Sequence, residues 1–302
     1  MGSEIRDRNG LTEEQYLAAY DASRYERPSV TVDILVFTVT EGEKENYRKL
    51  SEKELRILLI KRGEHPFLGK WALPGGFVKM DESLDEAAIR ELKEETNIDN
   101  IYMEQLYTWG DVGRDPRTRV ISTAYMSLAD SSTLNIKASD DADDAKWFTV
   151  SAKTFQEQKD VTENGYIIRQ MIKLNLTGDE EELSAIIRKV KTVDGKVTRI
   201  AREIVESEGL AFDHAKIIEY GLERLRNKIE YTDIAFNLMP ELFTLTELQQ
   251  VYEVILGKEL LKANFRRKIA GMVVETNKYS RESGHRPSKL FRFNPNWISM
   301  SE

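Results

Sequence analysis

Apolar residues recur at helical spacing between Leu84 and Thr96. Ser83 in front of this segment and Glu86 three residues later form a capping-box pattern, which predicts where the helix begins. Asn97 ends it, because asparagine tolerates the left-handed conformation that often follows a helix. The apolar positions, which share one stripe at 100° per residue, are Leu84, Ala87 and Ala88.

The same stripe continues as carboxylates one turn further along. Glu91, Glu94 and Glu95 are spaced i, i+3, i+4 and are expected to converge on one spot. Three carboxylates at the edge of a buried face repel one another unless a cation lies among them. Oxygen ligands without histidine or cysteine favour a hard ion, Mg²⁺ or Mn²⁺. The alternative is an ordinary solvated acidic face.

A leucine-rich strand pattern and a glycine turn precede this helix. The run LRILLIKR is followed by a loop that contains Pro74, Gly75 and Gly76. Glycines let the backbone approach a ligand closely, and a backbone carbonyl there can serve as a further metal ligand. Strand, tight turn and acidic helix together indicate a binding or catalytic site.

Helical spacing returns near the C-terminus. Residues 243–258 open with a capping box, Thr244 to Glu247, and are broken by Gly257. Residues 260–272 form a second helix pattern with Phe265 on its inward face. Its outward polar residues are Lys262, Asn264, Arg266, Arg267 and Lys268. The order helix, turn, basic helix is typical of DNA-binding domains.

Two strand patterns joined by a basic loop follow, as in a wing. The basic residues of this segment are Arg281, His285, Arg286 and Lys289. A helix from about Ala215 to Ile229, with Asp213 as its cap, supplies the third helix. The pattern predicts a winged helix, although helix pairs of this kind are often purely structural.

Residues 151–209 give a less decisive pattern. Asp194-Gly195 indicates a hairpin. Four apolar residues nearby also fit an amphipathic helix, namely Leu183, Ile186, Ile187 and Val190. A sheet extension or a dimer contact is a simpler interpretation of this segment than a second active site.

Composition and charge narrow the class of protein. The 302 residues with 40% hydrophobic content suffice for two domains. The sequence lacks an apolar run of 18 residues, a signal-peptide pattern and any cysteine, so we expect a soluble cytoplasmic protein. Residues 258–302 carry ten Lys and Arg against four Glu, a net charge of +6. Because the whole chain has a net charge of −8, the remaining residues carry −14. This asymmetry indicates a polyanionic partner for the C-terminal domain.

The acidic helix and the loop before it resemble the signature of the Nudix hydrolases. The matching positions are Gly76, Glu82, Arg90, Glu91, Leu92, Glu94, Glu95 and Ile98. The one departure is Asn97, where the signature has glycine, and we expect the geometry to survive this change. The resemblance implies Mg²⁺ or Mn²⁺ on Glu91, Glu94, Glu95 and the Gly75 carbonyl. It also implies that Arg90 orients the glutamates, that Glu82 lies just behind them, and that the reaction is hydrolysis of a nucleoside diphosphate linked to another group.

The loop after Tyr107 resembles the branch of the Nudix family that handles ADP-ribose. Arg114 and Arg117 are therefore candidate substrate-binding residues, but they are as readily solvated or paired to acids such as the cluster at 140–144. Asp115 is a candidate catalytic acid or base. His65 and His214 are expected to be structural, because no partner ligand lies at suitable spacing.

Taken over both ends, the chain resembles the Nudix-related transcriptional regulators, which repress NAD or sugar metabolism genes in bacteria. The predicted fold is a Nudix α/β/α sandwich at 1–209, with an extra segment at about 151–209, and a winged-helix DNA-binding domain at 210–302. The implied partners are ADP-ribose or a related nucleotide, a double-stranded DNA operator and a second copy in a homodimer. The main alternative is a Mg²⁺-dependent ADP-ribose pyrophosphatase whose winged helix serves dimerisation. A protein-interaction module with both sites inactive is a third interpretation.

Overall fold

The structure is a computed structural model that describes residues 5–42, 52–98, 101–132, 145–280 and 287–297. The acidic cluster at 140–144 and the wing residues Arg281, His285 and Arg286 lie outside the described residues. The helices are α1 (Glu13–Ala19), α2 (Leu84–Thr96), α3 (His214–Lys228), α4 (Leu245–Leu256) and α5 (Lys262–Ile269), with 3-10 helices at Ala22–Arg24 and Ile234–Leu238. None of the described helices is long and apolar enough to cross a membrane.

Most strands belong to one mixed sheet in the order β10-β9-β8-β7-β2-β1-β6-β5, with β3 paired to β2 and β4 paired to β1. Among the described strands of this sheet, β1 and β6 are the pair that runs parallel, and the other strand pairs are antiparallel. Its strands are β1 (Ser29–Glu41), β2 (Lys53–Lys61), β3 (Trp71–Ala72), β4 (Gly75–Phe77), β5 (Tyr102–Trp109), β6 (Val120–Asp130), β7 (Ala145–Thr162), β8 (Gly165–Thr177), β9 (Glu182–Asp194) and β10 (Val197–Glu208). A separate hairpin consists of β11 (Val273–Tyr279) and β12 (Lys289–Phe293).

Strand β1 lies in the middle of the sheet and is buried on both faces. Successive side chains of a strand point to opposite faces, so its apolar run divides between two cores. Val32 and Ile34 pack with Ala87 of α2, whereas Leu35 belongs to the core that contains Leu222 of α3. The predicted α/β/α sandwich is confirmed, with α2 on one face and α3 on the other.

Helix α2 has the bounds that the sequence predicts. The Ser83 side chain accepts from the Glu86 amide, and the Glu86 side chain reaches back to the Ser83 amide. Asn97 ends the helix in the left-handed conformation with φ 55°, and its N–H donates to the Lys93 carbonyl. The substitution of asparagine for glycine therefore leaves the helix end intact.

The segment at 151–209 is an extension of the sheet, and the amphipathic-helix interpretation of it is wrong. Leu183, Ala185 and Ile187 are buried while alternate residues are more exposed, which is the two-residue period of a strand. Strand β9 pairs with both β8 and β10, so neighbouring strands satisfy its backbone groups. The predicted hairpin is present: Asp194 pairs with Val197 across a turn in which Gly195 has φ 55°.

The C-terminal part forms the predicted winged helix from α4, α5 and the β11–β12 hairpin. Tyr252 of α4 packs on Phe265 of α5 with ring centroids 5.2 Å apart. Phe243 forms a bridge with Phe291 of β12, which attaches the wing to the start of α4. Helix α3, expected to be the third helix of this domain, contacts both the Nudix sheet and α4. Helix α4 also contacts β2 of the sheet directly, and one continuous core joins both helices to the sheet.

Candidate functional site

Two adjacent glycines bring the β4 backbone against the acidic helix. Gly75 pairs with Asp33 of β1 in the antiparallel register. A Cβ atom on Gly76 would lie 2.3 Å from the Glu91 Oε1 atom, far inside van der Waals contact. Only glycine permits this approach, as the turn pattern in the sequence predicts.

Arg90 joins the loop to the helix through its guanidinium. Its Nε and Nη2 atoms donate to the two Glu82 carboxylate oxygens at 2.9 and 2.6 Å. Its Nη1 atom donates to Glu91 at 2.6 Å and to Glu94 at 3.0 Å. The hydrogen bonds from Arg90 lower the pKa of Glu82 to about 2, so this carboxylate is ionised. Arg90 contacts the glutamates that the Nudix resemblance says it orients.

Glu95 is the buried carboxylate of the set. Burial raises its pKa to about 8, although its Oε2 atom accepts a hydrogen bond from the Gly75 amide at 2.7 Å. The nearby anions Glu91 and Asp33 raise the pKa further. A positive charge placed beside Glu95 would relieve both repulsions.

The three helix glutamates do not converge on one point as expected from their spacing. Glu91 and Glu94 both turn toward Arg90, the neighbouring cation, whereas Glu95 bonds to the Gly75 amide. Among the described residues, no three acidic or histidine side chains are grouped closely enough to hold a metal ion. The donor set is nevertheless all oxygen and carries net negative charge, which suits Mg²⁺.

Beside these carboxylates lies a pocket with aromatic and cationic walls. The Arg62 guanidinium lies 4.9 Å from the Phe212 ring centroid. Arg117 lies 5.4 Å from the Phe77 ring and 5.9 Å from the Phe212 ring. The pocket also contains Glu95, Gly75 and Gly76, so its walls and the acidic helix form one site.

Arg114 and Arg117, the candidate substrate-binding residues, both line this pocket and both carry ion pairs. Arg114 is buried, with its Nη2 atom 2.8 Å from Asp213 Oδ1 and 3.3 Å from Asp33 Oδ2. Arg117 is bonded to Asp115 at 2.8 Å and keeps 42% of its side chain exposed. The acids that pair with these arginines are Asp33, Asp213 and Asp115, which the sequence analysis did not propose as their partners.

Asp115, the candidate acid or base, is held as an anion. The hydrogen bonds from Arg117 are the main cause of its lowered pKa. An ionised carboxylate of low pKa is a poor proton donor near neutral pH. The lowered pKa therefore argues against a role as general acid, whereas a role as general base stays a prediction, and the same carboxylate also positions Arg117.

His214, which is expected to be structural, bonds to groups within the fold and also lines the pocket. It is buried, its Nδ1 atom accepts from the Leu73 amide at 2.9 Å, and its Nε2 atom lies 3.5 Å from Asp33 Oδ1. Burial alone would raise the pKa of Asp33, but His214, Arg114 and Ser122 lower it to about 2. The second histidine, His65, is exposed.

Sequence reasoning missed the pocket roles of five residues: Asp33, Arg62, Phe77, Phe212 and Asp213. Asp33 carried a signal, because it is a lone acid inside the apolar run VTVDILVF. Phe212 and Asp213 carried none, since they lie more than a hundred residues from the signature. Backbone bonds of Trp71 to Gly209 and Ala211 bring their segment to the pocket.

The candidate nucleic-acid interface is the outer face of α5. Phe265 and Ile269 are buried and fix the helix on its domain. The predicted contact residues that are exposed on its other face are Lys262, Asn264, Arg266, Arg267 and Lys268. The Lys268 Nζ atom lies 5.3 Å from the Tyr252 ring centroid, and the partial desolvation of this amine lowers its pKa. On the wing, Lys289 is paired with Glu275 across the hairpin.

Fold and site together define a protein with a Nudix pocket joined to a winged helix. A model of the NUDIX domain matches residues 32–171, and a model of the NrtR DNA-binding winged helix domain matches residues 235–293. The chain is 34% identical over 291 residues to the ADPR responsive transcriptional repressor NtrR of Acinetobacter baylyi, covering 94% of this chain and 90% of that protein. The chain belongs to the family of Nudix-related transcriptional regulators.

The chain is also similar to a solved DNA complex and to a hydrolase. A crystal structure of Shewanella oneidensis NrtR complexed with a 27mer DNA matches with a TM-score of 0.59 and 29% identity, covering 88% of this chain and 94% of that chain. An ADP-ribose pyrophosphatase of Methanocaldococcus jannaschii is 43% identical over 100 residues, which is 33% of this chain and 58% of that protein.

Proposed function

We propose that this protein is a transcriptional regulator that binds duplex DNA through α5 and binds ADP-ribose in the Nudix pocket. Its family and the DNA complex of the Shewanella oneidensis relative support the DNA-binding part. The observation that carries the proposal is the pairing, in one chain, of an exposed basic helix with an arginine-lined and aromatic-lined pocket.

The shape of α5 supports contact with DNA. Its apolar side is anchored by Phe265 against Tyr252, which leaves a rigid polar face. Arg266 and Arg267 are exposed on that face, and arginine recognises both phosphates and guanine edges. The alternative role of the winged helix in dimerisation does not require such a basic surface. The homodimer stays a prediction.

The pocket suits a nucleoside diphosphate. Arg62 and Arg117 can bind phosphate oxygens, because a guanidinium presents two parallel donors to them. Phe77 and Phe212 both line the pocket, and Phe77 is partly exposed. A planar base can stack on these rings. ADP-ribose is the specific choice because the Acinetobacter baylyi relative is named for its response to it.

We further propose that the site hydrolyses ADP-ribose to AMP and ribose 5-phosphate. Glu91, Glu94, Glu95 and the Gly75 carbonyl would hold Mg²⁺, with Arg90 giving up part of its contacts to Glu91 and Glu94. The bound ion would neutralise phosphate oxygens and acidify the attacking water. The chain itself supplies a buried carboxylate in Glu95, orientation of the helix through Arg90 and Glu82, and guanidinium groups for the substrate.

Glu95→Gln tests the hydrolytic part. Glutamine keeps the size of the side chain and can still accept from the Gly75 amide, but it lacks the charge that a metal ligand needs. We expect the rate of AMP formation with Mg²⁺ to fall by a factor of about a hundred or more. Thermal unfolding should show an intact fold.

Glu86→Gln is the matched control, because it makes the same change on the same helix. Glutamine also serves in a capping box, so this variant should keep both stability and turnover. If the unaltered protein releases no AMP from ADP-ribose with Mg²⁺ or Mn²⁺, the hydrolytic part fails and only ligand sensing remains.

A further inference from the structure

The segment that leads into α3 forms one wall of the nucleotide pocket. Trp71 of β3 holds it at two points: its N–H donates to the Gly209 carbonyl at 2.8 Å, and its carbonyl accepts from the Ala211 amide at 2.8 Å. Phe212 follows with φ 50°, an unusual backbone conformation for a bulky side chain. The chain is thus constrained where it passes from the pocket into α3.

Asp213 connects this segment to the pocket floor. It stands at the N-cap position of α3, yet its side chain makes no capping bond. Its carboxylate instead accepts from Arg114 twice, from Nη2 at 2.8 Å and from Nε at 3.2 Å. The bidentate geometry and the burial of both side chains make Arg114 and Asp213 the main ionic attachment of the start of α3 to the pocket.

An alternative partner for Asp213 lies close by. The Lys216 Nζ atom is 3.7 Å from Asp213 Oδ2 and is bonded to Asp111 at 2.6 Å. If Arg114 turned away, a small movement of the first turn of α3 would shorten this Asp213–Lys216 ion pair to hydrogen-bond distance. This avoids the large cost of leaving a buried carboxylate unpaired.

Helix α3 also reaches the winged helix. Near its other end, the Arg226 Nε atom donates to the carbonyl of Ile255 in α4 at 2.9 Å. Leu222 and Leu225 of α3 belong to the core that contains Tyr252 of α4. A shift of α3 therefore moves groups that α4 contacts directly.

We propose that Arg114 exchanges Asp213 for a phosphate of the bound nucleotide, and that this exchange releases the start of α3 and so transmits pocket occupancy to the winged helix. The inference rests on the proposed function, because it takes the ligand to be a nucleoside diphosphate. A guanidinium fork fits carboxylate and phosphate equally well, so the ligand competes directly with Asp213. Two discrete pairings of one helix end make the two-state element that such regulation needs.

Asp213→Asn in the full chain tests this exchange. Asparagine keeps the size of the side chain but competes less well for Arg114, so ADP-ribose should bind about threefold to tenfold more tightly. Isothermal titration of ADP-ribose in excess EDTA measures the affinity without turnover. Glu104→Gln is the matched control, because it removes the charge of an α3-to-sheet ion pair with Lys228, at the end of the helix away from the pocket. This control should bind ADP-ribose like the unaltered protein.

Amide hydrogen exchange of residues 214–218 gives a second measurement, which is made on the unaltered protein and on the variant. In the unaltered protein, ADP-ribose should increase exchange in this first turn of α3, and in Asp213→Asn exchange should be high without ligand and change little. Unchanged or weaker ADP-ribose binding by a folded Asp213→Asn, or no ligand-induced exchange at 214–218 in the unaltered protein, would overturn the inference. Absence of ADP-ribose binding by the unaltered protein would instead refute the proposed function itself.

Discussion

Alanine at Gly76 should mainly impair metal binding and turnover, whereas alanine at the adjacent Gly75 should mainly impair stability. A Cβ on Gly76 would lie 2.3 Å from Oε1, 2.6 Å from Cδ and 2.8 Å from Oε2 of Glu91. A Cβ on Gly75 would instead lie 2.1 Å from the Val32 carbonyl oxygen and 3.0 Å from Asp33 Cα. The first atom meets the end of a flexible side chain, and the second meets the backbone of the central strand.

These distances set the magnitudes. In Gly76→Ala the Glu91 carboxylate must retreat by about 1 Å, which its side chain can do at a stability cost of about 1 kcal/mol. A displacement of that size in a catalytic group costs about a hundredfold in rate, or about 2.7 kcal/mol. In Gly75→Ala, β4 must separate from β1 and an L residue must adopt φ 152°, so we expect a loss of about 3 kcal/mol or more of stability.

Three measurements distinguish the loss of metal binding from the loss of stability. They are urea unfolding, Mn²⁺ binding followed by electron paramagnetic resonance, and AMP release from ADP-ribose. Gly76→Ala should unfold close to the unaltered protein but bind Mn²⁺ weakly and release little AMP. Gly75→Ala should unfold at much lower urea. If Gly76→Ala kept Mn²⁺ affinity within twofold, Glu91 would not be positioned against this glycine as a ligand, and the reasoning would be refuted.

Two further predictions concern the end of α2 and the DNA-binding face. Asn97→Ala should lower the free energy of unfolding in urea by about 1 kcal/mol, because alanine is strained at φ 55°. Asn97→Gly should leave the stability unchanged or raise it. Equal stability of all three proteins would contradict the left-handed helix end. Arg267→Ala should weaken binding to duplex DNA, measured by fluorescence anisotropy, and should reduce the slope of log affinity against log salt concentration by about one. Arg199→Ala, which changes an exposed arginine on β10, should have neither effect. Equal losses in the two variants would mean that α5 is not the DNA-binding face.

Local patterns predicted most of what proved correct. The capping box at Ser83 and the left-handed residue Asn97 depend on neighbours within a few positions, so the bounds of α2 could be read from the sequence. The same holds for α4, whose predicted capping box at Thr244 is present and which ends at Gly257. The glycine at position 76 also predicted the close approach of the backbone to the acidic helix, because a Cβ atom there would collide with Glu91.

Features that depend on distant partners could not be predicted in this way. The apolar residues of β9 fit either a helix or a strand, and pairing with β8 and β10 decides between them. The sequence left Arg114 open between a ligand contact and an acid-paired residue, and its strongest partner, Asp213, lies 99 residues away in sequence. The positions of the glutamates likewise depend on a loop and a neighbouring cation, because Arg90 bonds to Glu91 and Glu94 while Glu95 bonds to the Gly75 amide.

The central claim is that nucleotide occupancy of the Nudix pocket controls DNA binding by the winged helix. The most direct test is the dissociation constant for duplex DNA, using a sequence enriched from a random library by this protein. It is measured at fixed salt with and without saturating ADP-ribose, in excess EDTA to prevent turnover. We predict that ADP-ribose weakens DNA binding by about tenfold or more, equivalent to about 1.4 kcal/mol of coupling, and that DNA weakens ADP-ribose binding by the same factor. An unchanged dissociation constant, with ADP-ribose shown by titration to be bound, would contradict the claim.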